Sequence, residues 1–210
     1  MDRARTQEFR EIRCRWRRCG SDTFFRRPDG RLERIQRDNR HGAWDGRNEK
    51  DGPYLYWKDG QYVYDYSPGY AGYHGLQHET VIEHRAPHHP ILQGLPPQWK
   101  HFKDEIYTRL RGPVRNMEIL ATAYERGRHE PLMWTVSYGK GRIFVDLLGH
   151  CGNDPNMTYS MRCTGFQVTL LRGCEWAATG AVTQEVPADF PLKDTYTLRP
   201  EFKAPFSCLP

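Results

Sequence analysis

The 210-residue chain is 38% apolar, 27% charged and 13% aromatic, which suits one domain of ordinary size with a core. No run of about 18 apolar residues occurs, which excludes a spanning helix, no membrane partner is expected, and no apolar segment follows the N-terminal charges. With no secretory signal to read, a cytoplasmic location is expected.

The net charge of +5 is unevenly placed. Residues 1 to 40 hold 13 arginines, no lysine and 7 acids, whereas residues 41 to 210 hold 18 basic and 19 acidic residues. The surplus is confined to one arginine-rich leader without helical or strand period, read as a solvated, disordered segment with no nucleic-acid partner expected; a basic arm that binds nucleic acid is the other reading. The six cysteines are neither densely spaced nor beside an export signal, so free thiols in a reducing compartment are expected.

Composition changes at "HGAWDGRNEKDGP", and the chain is divided there: a leader over 1–40, a domain over 41–191 and a Pro-rich tail over 192–210. "YLYWKDGQYVYDY" predicts a hairpin, because Asp59-Gly60 tolerates the positive φ of a tight turn between two aromatic-rich runs. The Gly/Tyr loop "SPGYAGYHGLQH" follows, and "HETVIEHR" alternates as a strand. "PHHPILQGLPP" reads as a short turn or helix bounded by prolines, "KDEIYTRL" as a short extended piece and "MEILATAYE" as a strand. "PLMWTVSYG" and "GRIFVDLLG" form a second hairpin around Gly139 and Gly141. "SMRCTGFQVTLLRGCEWAAT" predicts one helix whose apolar face holds Cys163, Phe166, Leu170, Cys174 and Ala177, with Gly180 ending it. A parallel α/β domain usually opens with a strand, a loop and a helix, several times over. Here a strand-rich section ends in one long helix, so the chain reads as the second half of such a domain.

The blocks "WDGRNEKDGPYLYWKDGQYVYDYSPG", "HHPILQGLPPQW", "KDEIYTRLRGPVRNMEILATAYE", "HEPLMWTVSYGKGRIFVDLLGH" and "GFQVTLLRGCEWAATGAVTQEVPADFP" resemble the C-terminal portion of the ThuA-like, or trehalose-utilisation, family. The resemblance runs from Trp44 to Pro191, in the family's order. It implies a class I glutamine amidotransferase-like fold, an open α/β sheet of the flavodoxin-like kind. It also implies an N-terminal βαβ section with a "GGG…H" turn, which this sequence lacks. The expectation is therefore a domain truncated at its N-terminus, with a leader of the kind a misplaced start or an out-of-frame reading would produce.

Candidate site residues follow from chemistry first. His150 stands after a strand-like run, where open α/β sheets bind ligands, and Gly149 lets the backbone turn to bring an imidazole to the rim. The other reading is a histidine hydrogen-bonded at a loop start. A Cys/His hydrolase needs a strand–turn–helix elbow such as G-x-C-x-G, and none of the cysteines has that setting; Cys163 and Cys174 read as core thiols. His74 and His78 are four apart, a metal spacing on a helix but not in a Gly-rich loop, so no metal and no cofactor are expected. His84, His88 and His89 are read alike, with His89-Pro90 opening a structural turn by resemblance. Asp104 and Glu105 are adjacent, so only one of them can reach a pocket from a strand. The resemblance makes them, with Tyr107, a characteristic block and candidate acid/base groups. Tyr54, Tyr56, Tyr62 and Tyr64 suit cross-strand pairing with Trp57, whereas Tyr70 and Tyr73 suit stacking on a sugar. Arg47, Asn48 and Glu49 are of the types that grip hydroxyls.

The resemblance implies a role in disaccharide (trehalose-type) or keto-sugar utilisation, with a sugar pocket at the carboxyl edge of the sheet. His150, Glu105 and Asp104 would handle protons there, and Arg47, Asn48, Glu49, Tyr70, Tyr73, His78 and Tyr107 would hold a small-molecule sugar. A non-catalytic carbohydrate- or partner-binding module, or an inactive fragment of such a protein, are the alternatives. The oligomeric state is not readable from the sequence.

Overall fold

The computed structural model describes residues 49–113, 116–150 and 159–200, and the backbone alone of 24–26, 32–34 and 155–158. The chain divides into two units, Met1–Gln36 and Arg37–Pro210. In the first, β1 (Phe24–Arg26) pairs antiparallel with β2 (Leu32–Arg34). The rest of the leader lies outside the described residues, as do Arg47 and Asn48.

The second unit begins with the expected hairpin, β3 (Tyr54–Lys58) and β4 (Gln61–Asp65). Asp59 and Gly60 both take positive φ, 50° and 80°, the turn geometry whose twist matches that of paired strands. Trp57 and Tyr62 face each other across it with ring centroids 4.7 Å apart, so these aromatics are used in packing. A two-residue strand, β5 (Tyr73–His74), precedes β6 (His78–His84). β7 (Gln98–Asp104) was not foreseen, and the predicted extended piece "KDEIYTRL" is split between its end and β8 (Tyr107–Thr108). β9 (Met117–Glu125), β10 (Arg128–Tyr138) and β11 (Gly141–Asp146) then follow the predicted pattern.

Seven strands join in the order β4-β3-β10-β9-β6-β7, with β11 also on β10. Strands with one helix confirm the α/β character; every pairing among the described residues is antiparallel, so the parallel strands of a flavodoxin-like sheet are not among them. Antiparallel steps lead from β11 through β10, β9 and β6 to β7. β11, β9 and β7 therefore run the same way, and their carboxyl ends share one rim of the sheet, together with the amino ends of β6 and β10.

The helix α1 (Thr164–Thr179) packs on β11 and β7 and ends at Gly180 in the left-handed conformation, as its sequence predicts. Its packed face is rotated from the predicted one. A Cβ on Gly165 would come within 2.2 Å of the Trp99 ring, and one on Gly173 within 2.0 Å of the Phe144 ring. Close approach thus runs along Gly165, Thr169, Arg172 and Gly173, and Arg172 donates to the carbonyls of Pro90 and Gln93 in the turn beyond β6. Cys163 is buried as expected, but Cys174 is exposed, because glycines and not large apolar side chains mark the seam.

Candidate functional site

The rim is organised by one carboxylate. Asp104, the last residue of β7, has no exposed surface. Its Oδ1 accepts the N–H groups of Glu105 (2.8 Å) and His150 (3.1 Å). Its Oδ2 accepts the Gly149 N–H (2.7 Å) and lies 2.8 Å from His101 Nε2. One side chain thereby ties the end of β7 to the corner that follows β11. That corner requires glycine: Gly149 has φ +85°, and a Cβ there would sit 2.4 Å from the Phe166 ring.

Past the clamp, two side chains emerge toward solvent. Glu105 is 13% exposed and His150 23%, and His150 Nδ1 lies 3.0 Å from Glu105 Oε2. His74 brings Nδ1 to the same oxygen at 3.5 Å. The pairing of β5 with β8 delivers it, by placing Tyr73 opposite Thr108 and His74 opposite Tyr107. The His74 and Tyr107 rings meet edge to face, 5.7 Å between centroids. The His150 carbonyl accepts the Ser160 hydroxyl (3.0 Å), which fixes the far side of the corner.

Thus Glu105, Tyr107 and His150 are brought together with His74, while other candidates lie differently. His78 turns to Glu125 (3.1 Å) at the end of β9, so His74 and His78 serve different carboxylates and make no metal pair. Among the described residues no group of three or more His, Cys, Asp and Glu is arranged to hold a metal ion. Tyr70 is 78% exposed and Tyr73 45%, and the Arg126 guanidinium lies 4.2 Å over the Tyr73 ring. Glu49 accepts the Gly69 N–H (3.4 Å); backbone hydrogen bonds hold its carboxyl below the usual range. Arg111 was missed by sequence reasoning. Fully buried, it donates to the carbonyls of Gly52 (2.7 Å) and Ser67, and its guanidinium stacks 3.5 Å from the Tyr54 ring, which anchors the start of the Gly/Tyr loop.

His84 and His89 are structural. Trp99 Nε1 donates to His84 Nε2 (3.1 Å), and burial pushes the His84 pKa down to about 4, so it is a neutral acceptor at neutral pH. His89 Nδ1 accepts the Ile91 N–H (3.3 Å) within the expected turn.

The arrangement can move protons. A carboxylate facing imidazole Nδ1 fixes the tautomer, leaves Nε2 basic and stabilises the imidazolium that forms when Nε2 takes a proton.

A family model described as ThuA, trehalose utilisation, matches residues 40–177. Among curated proteins none matches. Among solved structures, a ThuA-like protein from Parabacteroides merdae is similar, with 54% identity and a TM-score of 0.72 over 76% of this chain. The chain spans 59% of the length of that relative.

Proposed function

The chain belongs to the ThuA (trehalose utilisation) family, and on that premise we propose that it acts on a trehalose-type disaccharide or a keto-sugar, with Glu105 and His150 moving the protons. The observation that carries this reading is the partly exposed 3.0 Å contact between those two side chains, at the rim where β7 and β11 end. His150 Nε2 is the base toward a sugar hydroxyl, and Glu105 holds the ring and offsets its charge. His74 and Tyr107 border the pair. Tyr70, 78% exposed, offers a ring face to the sugar, whereas His78, turned to Glu125, leaves the list of sugar contacts. Asp104 leaves the list of proton handlers, since it has no surface a substrate could touch. Around this antiparallel section the family's class I glutamine amidotransferase-like, flavodoxin-like sheet is the proposed frame.

The test is turnover of trehalose and of keto-disaccharides followed by proton NMR, with the wild type beside His150→Ala and Glu105→Gln. Loss of turnover in both variants at unchanged melting temperature is expected. Full turnover by His150→Ala overturns the assignment, and sugar binding without turnover by the wild type replaces catalysis with a binding role.

A further inference from the structure

Behind the rim lies a group of titratable side chains that the proton-transfer reading does not use. His101, Asp104 and Cys163 have no exposed surface. His101 precedes Asp104 on β7, with Nε2 2.8 Å from Asp104 Oδ2 and the ring edge-on to Trp99 at 5.8 Å. Its Nδ1 is buried with no hydrogen-bond partner among the described residues, and the Cys163 thiol, at the start of α1, acts on the ring electrostatically. Asp146, at the end of β11, faces the same group, with Oδ1 on the Leu148 N–H (3.0 Å) and Oδ2 on the Thr169 hydroxyl (3.3 Å).

Asp104 is the point where this group meets the rim, because the oxygen that His101 touches also accepts the Gly149 N–H. A buried carboxylate without a cation either takes a proton or moves toward water. A protonated Asp104 would turn one acceptor oxygen into a donor, facing N–H groups that are donors themselves. We propose that His101 is a positioning residue for the Glu105–His150 pair, keeping Asp104 an acceptor for the N–H groups of Glu105, Gly149 and His150. The inference rests on the reading of that pair as the proton-handling site.

The charges facing His101 are Asp104 from its own strand, Asp146 from β11 and Cys163 from the start of α1. Burial alone would push the imidazole down. The hydrogen bond to Asp104 and the attraction of Asp104 and Cys163 raise it to about 9, so the ring is a cation through the neutral range. The same attraction holds the Cys163 thiol below its usual range against the opposing effect of burial.

The experiment is a pH titration of the full chain by NMR, following the amide signals of Gly149 and His150 and the ring signals of His101. Both amides are expected to shift with the His101 ring in one transition with a midpoint near pH 9. In His101→Gln that transition is absent, and any measured sugar turnover loses roughly 10- to 100-fold in kcat without a rise in KM, the effect of a misplaced catalytic group. Amides that stay still through the His101 transition, or that keep the transition in His101→Gln, overturn the proposal. Should His101→Gln fail to fold, the wild-type titration decides alone. Should the wild type turn over no sugar, the proposed function fails while the amide titration still judges the positioning role.

Discussion

Asp104→Asn and Glu105→Gln make the same chemical change on neighbouring residues, and the structure assigns them opposite consequences. The Asp104 oxygens meet four donors: Glu105 N, His150 N, Gly149 N and His101 Nε2. An asparagine amide supplies one acceptor oxygen and one donor nitrogen, so in either orientation two of the four face another donor. At about 1–3 kcal/mol for each unsatisfied buried donor, the substitution costs about 2–6 kcal/mol. Removing one partner of the buried pair with His101 costs about 3–5 kcal/mol and overlaps with that figure, so it is not added. At roughly 2–4 °C per kcal/mol for a chain of this length, Asp104→Asn lowers the melting temperature by about 4–24 °C. Glu105 holds a partly exposed contact at the rim, worth about 1 kcal/mol, so Glu105→Gln melts within roughly 4 °C of the wild type. Thermal unfolding followed by far-ultraviolet circular dichroism at pH 7 reads both. An Asp104→Asn protein that melts with the wild type, or a Glu105→Gln protein that falls as far, refutes the division of labour.

Gly165→Ala and Gly173→Ala would drive a methyl into the Trp99 and Phe144 rings. Each should destabilise by about 1–3 kcal/mol despite alanine's better helix propensity, read as a lower urea midpoint. The raised His101 pKa means that the folded state holds this proton more tightly than the unfolded chain. Its contribution, roughly 3 kcal/mol, is complete below pH 6.5 and is lost as pH rises through about 9; unfolding free energies across that window should show the fall. Asp146 is a carboxyl raised by burial to about 7, so its ionisation costs stability between pH 3.8 and about 7, and Asp146→Asn should remove that part of the slope. Iodoacetamide should label Cys174 in the native protein and Cys163 only after unfolding, as peptide mass spectrometry would show.

What could be read from the sequence was whatever local chemistry dictates. Asp59-Gly60 specifies its own turn, and Gly180 specifies the end of α1. The strands β6, β9, β10 and β11 carry enough apolar or alternating residues to declare themselves. β7 does not, since "QWKHFKD" spends two of its buried positions on His101 and Asp104, which look like surface residues until each is seen to satisfy the other. The seam of α1 was misplaced for a related reason. Periodicity weighs large apolar side chains, whereas tight contact with Trp99 and Phe144 selects glycine. At the rim, His150 was legible from the glycine before it. The pairing of His78 with Glu125 was not, because it depends on β6 and β9 being neighbours.

The adjacent acids show how far a local rule carries. Consecutive residues leaving a strand point to opposite sides, so one of Asp104 and Glu105 had to face inward. Which one is decided by what waits on each side. Inward lie the buried His101 imidazole and the N–H groups of the Gly149 corner, enough polar partners to replace water around a carboxylate. Outward lie His150 and His74, which approach a single Glu105 oxygen and leave that carboxylate partly in water. The shorter side chain takes the inward place, where a rigid acceptor must serve several fixed donors. The longer one takes the rim, where reach and motion help in meeting a substrate. A sealed carboxylate can orient a proton-transfer pair but cannot exchange protons with a sugar. In the function proposed above, proton transfer is assigned to Glu105 and His150, and Asp104 holds their geometry.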